Sequence, residues 1–381
     1  VLYFDHNATT PLLPEAQQAW LEASANLIGN PSSPHRLGGR AEVALQAARE
    51  QLAGFLGCDA LDLVWTSGAT ESAATVFHHA ARTLPADAEV WVSALEHPCV
   101  LDTAVHLFPG RLRLLPALGS GAVARDWFRQ ELGRNRPGLV ALMAANNETG
   151  VLQPWRECLH LCREWEVPFF CDAAQWIGKL PAQGLGGADY VSGCAHKFGG
   201  PRGVGFLKCP PRPALQPLLR GGKQEEGRRA GTENVAGVLA MVAALAHRET
   251  ALAAGEHVTR ALWRATFEKE LLRDLPGTEI LGAGEERLWN TVSVLMPPGD
   301  DCRPRWVVKL DKAGFAVSTG SACASGREEP SPVLTAMGRT PAEAGRALRF
   351  SSGWETRRED WTALLEGLRR VHQELTAPRQ P

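Results

Sequence analysis

The run Cys194-Ala195-His196-Lys197-Phe198-Gly199-Gly200 places a His and a Lys side by side among small, uncharged residues. The chain holds only seven Lys against 33 Arg, so a Lys in such a stretch stands out. A crowded Lys has its pKa lowered and forms a Schiff base with a carbonyl, the step that tethers pyridoxal phosphate. Upstream, Asp172 closes the apolar run Phe169–Cys171. A carboxylate there could pair with a pyridinium nitrogen and keep the ring an electron sink, or it could cap a helix.

The cluster Thr66-Ser67-Gly68-Ala69-Thr70-Glu71-Ser72 precedes a helix expected over Ala73–Leu84. Unpaired N–H donors and the positive end of the helix dipole attract an anion there. The spacing is not that of a nucleotide-binding P-loop, so a monophosphate suits it better than ATP; an ordinary helix cap is the plainer alternative. His97, in Glu96-His97-Pro98, and Asn146-Asn147-Glu148-Thr149-Gly150 each follow an expected strand. Ser318-Thr319-Gly320-Ser321-Ala322-Cys323-Ala324-Ser325-Gly326 surrounds a Cys with residues too small to pack a core, which favours an exposed, reactive thiol on a mobile loop. Arg349 sits in the apolar run Leu348-Arg349-Phe350, where an unpaired guanidinium is costly and a substrate carboxylate is a natural bidentate partner.

These clusters need strand ends to hold them. Short apolar runs at Leu63–Trp65, Glu89–Ser93, Leu139–Ala144, Val167–Cys171, Tyr190–Ser192 and Gly203–Lys208 alternate with helical stretches, the pattern of an α/β fold with a mostly parallel sheet. The carboxyl ends of such strands are where open sheets place ligands. A helix-forming stretch over Glu233–Leu275, as one helix or two in series, leads to a smaller α+β part: two strands within 278–296, a helix at 303–314, a strand at 346–351 and an amphipathic helix at 357–375. The expected division is a large domain over 13–252 and a small one formed by 1–12 and 253–381, with the opening residues crossing over.

A formal net charge of -2 gives no pull toward nucleic acid or membrane, so no direct binding to either is expected. No apolar run approaches the length of a membrane span. Nine Cys without a secreted-scaffold spacing, in a chain with no signal-like start, point to reduced thiols and a cytoplasmic setting. Cys158 and Cys162 lack a second ligand pair at zinc spacing and are read as core packing, so no metal is expected.

In sum of its motifs the chain resembles the cysteine desulfurases, pyridoxal-phosphate enzymes of the class V aminotransferase group with fold type I. The likeness runs from Tyr3-Phe4-Asp5-His6-Asn7-Ala8-Thr9-Thr10 through Asn30-Pro31-Ser32-Ser33 and Arg228-Arg229-Ala230-Gly231-Thr232-Glu233-Asn234 to Arg349-Phe350-Ser351, and the Cys323 loop looks like that of the long-loop subgroup. The resemblance implies that Lys197 carries pyridoxal 5'-phosphate, Asp172 pairs with the ring nitrogen, and Gln175 bonds the ring hydroxyl. It implies that His97 stacks on the ring and assists proton transfer. Ala69, Thr70, Cys194 and His196 would hold the phosphate, and Thr232 would reach that of a neighbouring subunit in a homodimer with shared active sites. Asn30, Asn147 and Arg349 would orient L-cysteine, with Asn147 also beside the cofactor. Cys323 would receive the sulfur as a persulfide, alanine would leave, and an acceptor protein of unknown identity would take the sulfur on. The sequence departs from the family at Cys194, where Ser is usual; a thiol is the poorer donor, so either phosphate affinity is weaker or another group compensates. It also ends at Pro381 without the longer tail by which housekeeping members engage an iron–sulfur scaffold, which leaves open whether that contact is made. The rival readings are a selenocysteine lyase or another C–S lyase of the same class, and a catalytically inactive interaction subunit; the Cys323 loop argues against the first and the full residue set against the second.

Overall fold

The computed structural model describes residues 1–211, 215–299, 302–320 and 331–377. Its first strands are β1 (Leu2–Tyr3), β2 (Leu63–Thr66), β3 (Val90–Ser93), β4 (Leu112–Leu115), β5 (Leu139–Ala141), β6 (Phe169–Asp172), β7 (Tyr190–Cys194) and β8 (Gly205–Lys208). Seven of these form one sheet in the order β2-β8-β7-β6-β5-β3-β4. β8 runs antiparallel to both of its neighbours, and the pairs from β7 across to β4 are parallel. This is an α/β fold with a large, mostly parallel sheet. Helices cover both faces, which is why Val90-Trp91-Val92 and Phe169-Phe170-Cys171 read as continuous apolar runs and are fully buried.

Several boundaries differ from expectation. β4 was not foreseen: it is an edge strand whose Arg113 interrupts the apolar pattern, stacking on Trp91 and Trp127 and pairing with Glu131. Beyond β5, Leu142 and Ala144 still donate to Phe170 and Asp172 carbonyls. The helix expected from Ala73 opens at Ala69 and runs to Thr83, so much of the polar cluster before it is first turn. The stretch 233–275 is two helices, Val235–Ala253 and Glu256–Asp274, broken at Gly255 in a left-handed conformation (φ 73°). Contrary to the sequence reading, Val235–Ala253 is long and apolar enough to cross a membrane by length and composition. Its apolar side chains are instead spent on the core, where it packs against Pro14–Asn26 and Arg36–Leu56.

The remaining strands are β9 (Glu279–Ile280), β10 (Thr291–Leu295), β11 (Phe315–Ala316) and β12 (Ala347–Ser351). β10 lies between β9 and β12 in an antiparallel sheet, and β1 crosses over to pair in parallel with β11. Phe4 carries the amino-terminal segment into a second core with Phe267, Val292, Trp306, Phe350 and Trp361. The same crossing lays residues 5–9 over the carboxyl ends of the large sheet, because Asp5 bridges to Ser351 while Thr10 donates to the His196 carbonyl.

Candidate active site

The strand ends, the helix that begins at Ala69 and the crossing segment enclose a cavity of about 970 Å3. Ala69, Thr70, His97, Asn147, Asp172, Gln175, Cys194, His196, Lys197 and Arg349 all line it. Asn30 and Thr232 do not; both are exposed in the single chain. Cys323 lies outside the described residues.

β7 ends in the short turn Ala195–Lys197, which points the Lys197 amine at the crossing segment. Its Nζ donates to the Asn7 and Ala8 carbonyls at 2.7 and 2.8 Å. Burial lowers its pKa, opposed by the neighbouring Cys194 and Asp172. The amine is thus shifted toward the neutral form that attacks a carbonyl. Asp172 ends β6, and its Oδ1 accepts from the Ala174 N–H (2.9 Å) and the Ser192 hydroxyl (3.0 Å). These bonds fix the carboxylate at the floor of the cavity.

His97 caps the helix Pro98–Leu107 through Nδ1, which accepts from the Cys99 N–H at 3.1 Å. The neutral ring therefore carries its proton on Nε2. Burial lowers the pKa of His97 and takes that of His196 to about 4. At the helix start the Ala69 N–H hydrogen-bonds the Cys194 thiol, whose pKa burial pushes up to about 11. The Ser67 N–H is taken by Glu71, itself held by Arg229.

Arg349 is not the unpaired guanidinium that its apolar strand suggested. Nη2 meets Asp5 Oδ1 at 2.7 Å, and Nη1 donates to the Asn147 and Gly320 carbonyls at 2.9 and 2.6 Å. Its Nε has no partner among the described residues. The charge is held in place before any carboxylate arrives.

Three contributors escaped the sequence reading. Asn7 joins both walls: its carbonyl accepts from Lys197 and Gln175, and its amide reaches Asn147 and Thr291. Glu96 is buried, its pKa raised by desolvation and by Asp172, with one carboxyl oxygen on the Met143 N–H and the other without a partner among the described residues. Lys179 is the third; a Lys within Trp176-Ile177-Gly178-Lys179-Leu180 was the same signal that singled out Lys197.

Residues 2–364 match the class V aminotransferase family. The chain is 38% identical over 365 residues to the cysteine desulfurase of Klebsiella pneumoniae, covering 94% of this chain and 89% of that one. Against the cysteine desulfurase of Cereibacter sphaeroides it is 38% identical over 381 residues, 99% and 97% of the two. The chain belongs to the cysteine desulfurase family. Among solved structures, a NifS-like protein superimposes with a TM-score of 0.89 at 29% identity, over 98% of this chain and 100% of that one. The desulfurase family works with pyridoxal phosphate, and the donor set here suits it. The cavity combines a half-buried amine shifted toward neutrality, a fixed carboxylate and an imidazole, and Glu96 and Arg349 on its walls keep buried polar atoms without partners among the described residues.

Proposed function

We propose that the cavity binds pyridoxal phosphate and that the chain moves the sulfur of L-cysteine onto Cys323, releasing L-alanine. The observation that carries this reading is Lys197, a half-buried amine held by two backbone carbonyls and close enough to Asp172 to feel its charge. When bound, the cofactor supplies an electron sink for charge developing at the substrate Cα. Lys197 holds it through Nζ and, once substrate has displaced the amine, takes the Cα proton. Asp172 is the partner for the ring nitrogen, Gln175 for the ring oxygen and His97 for the ring face. Ala69, Thr70, Cys194 and His196 serve the phosphate. Arg349, with Asn147 and Asn30, receives the substrate carboxylate.

The Cys323 thiolate attacks the substrate sulfur. An S–S bond forms as the Cβ–S bond breaks; the carbon skeleton keeps that electron pair, gains protons and leaves as alanine. The product is a persulfide on Cys323 for an acceptor protein. Thr232 serves the phosphate of a second copy in a homodimer; its exposure in the single chain supports this, as do the exposed Leu21 and Val43 on the first two helices and the exposed Ile28 between them. The unpatterned thiols support a cytoplasmic setting.

The test is Cys323→Ser. The variant should keep the visible absorbance of bound cofactor and lose alanine formation; alanine formed at the wild-type rate overturns the role of Cys323. Pyruvate and ammonia in place of alanine would instead mark β-elimination.

A further inference from the structure

We propose that Lys179 is a positioning residue that sets which end of the Gln175 amide faces the cofactor. The inference rests on the cofactor reading above. Lys179 is 3% exposed and forms no ion pair among the described residues. Its Nζ is received by two amide oxygens, Gln175 Oε1 and Asn7 Oδ1, the latter at 2.8 Å. Burial lowers its pKa, with Lys197 and Arg349 adding to the effect. A charge-bearing side chain so placed needs a purpose beyond filling space.

The purpose follows from donor arithmetic. An Nζ that donates to both amides, as ammonium or as neutral amine, draws their oxygens toward itself. With Oε1 committed to Lys179, the Gln175 NH2 group must face the other way. One of its two hydrogens goes to the Asn7 carbonyl at 2.9 Å, and Gln175 lines the cavity, which leaves the second for a ligand there. A ring oxygen that carries negative charge needs that donor. The reversed amide would present an oxygen lone pair and repel it. The Asn7 carbonyl that receives Gln175 also receives Lys197, so the same bonds register the ring-oxygen partner against the Schiff-base amine.

A donor on the ring oxygen favours its ionised form and lowers the midpoint at which the visible band of the bound cofactor titrates. Removing the lock should raise that midpoint. The experiment compares pH titrations of the visible band in the cofactor-loaded wild type, Lys179→Met, Gln175→Ala and the double variant. Lys179→Met should raise the midpoint by about one unit, a tenfold change in proton affinity. Gln175→Ala should match it, and the double variant should add nothing. Lys179→Gln, smaller and polar, allows the amide to turn without leaving an apolar hole; it should raise the midpoint by less than Met and carries the test if the Met variant fails to fold. A wild-type band with unshifted Lys179 variants overturns the role of Lys179 alone. Fully additive shifts in the double variant also overturn it, because Lys179 would then act as a bare charge. A wild type that takes up no cofactor overturns the cofactor reading together with the inference.

Discussion

At the strand ends of the large sheet, Asp172, Gln175, Cys194, His196 and Lys197 come from one short stretch of chain and face the cavity from adjacent strands β6 and β7. On the opposite wall, Asp5, Asn147, Gly320 and Arg349 come from four distant parts of the sequence and meet around one guanidinium. The walls also differ in charge. Burial moves the groups of the first toward their neutral forms, Lys197 and His196 downward and Glu96 and Cys194 upward. The second keeps a full ion pair, Arg349 with Asp5, with two carbonyls on the same guanidinium. Of these, Lys197 and Glu96 move toward neutral pH, where proton exchange costs least, and a fixed charge on the second wall can hold an anionic substrate in place. The first wall is therefore suited to the chemistry and the second to binding.

Lys197→Ala gives the largest effect and tests that division most directly. Proton transfer by a placed base is worth about 10²–10⁴-fold, so alanine formation should fall by at least about 10³-fold. The two carbonyls that Lys197 leaves lie at the cavity, where water can reach them, so the unfolding free energy should change by less than about 1 kcal/mol. Activity within tenfold of wild type would remove Lys197 from the chemistry. A loss of stability as large as the one expected for the opposite wall would erase the contrast.

Arg349→Ala should show the complementary pattern. It strips the partner from Asp5 and from two carbonyls at once. Breaking a buried pair costs about 3–5 kcal/mol, and because the Asp5 side chain is 23% exposed the expectation is discounted to about 2–3 kcal/mol. KM for L-cysteine should rise by at least about tenfold, with a smaller fall in kcat. Denaturant unfolding and steady-state kinetics check the two halves. An unchanged KM would show that the guanidinium serves only the fold.

The two walls were unequally legible in the sequence, for the same reason that they differ physically. Lys197, Asp172, His97 and the Thr66–Ser72 cluster each follow an apolar run, and the rule that ligands meet strand ends brings them together without knowledge of long-range contacts. Nothing local says that Asp5 meets Arg349, because the pairing depends on β1 crossing to β11 and Asp5 bridging to Ser351. The sequence therefore left Arg349 seeking a partner that the fold already provides. Lys179 was overlooked although its flanks resemble those of Lys197, because no polar cluster beside it suggested a ligand. In the fold, β4 was missed because Arg113 breaks the apolar run of an edge strand, and the helix start at Ala69 because its first turn is composed of capping residues.

The smallest effect probes how finely the first wall is tuned. Cys194 stands where the family usually has Ser, 4% exposed and beside the start of the helix at Ala69. Its thiol accepts the Ala69 N–H, and with a pKa of about 11 it remains protonated at neutral pH. A buried thiol is a weak donor, whereas a hydroxyl is a good one and accepts the Ala69 N–H equally well. Cys194→Ser should therefore add one stronger hydrogen bond to the cofactor phosphate while leaving the packing almost unchanged. A net hydrogen bond is worth about 1 kcal/mol, which is roughly a fivefold lower Kd for pyridoxal phosphate in a fluorescence titration of the apo protein. The Kd should fall while kcat at saturating cofactor stays the same, since the phosphate end takes no part in proton transfer. An unchanged or higher Kd would mean that Ala69, Thr70 and His196 already satisfy the phosphate, and that the thiol is kept for the fit of its sulfur beside Gly68.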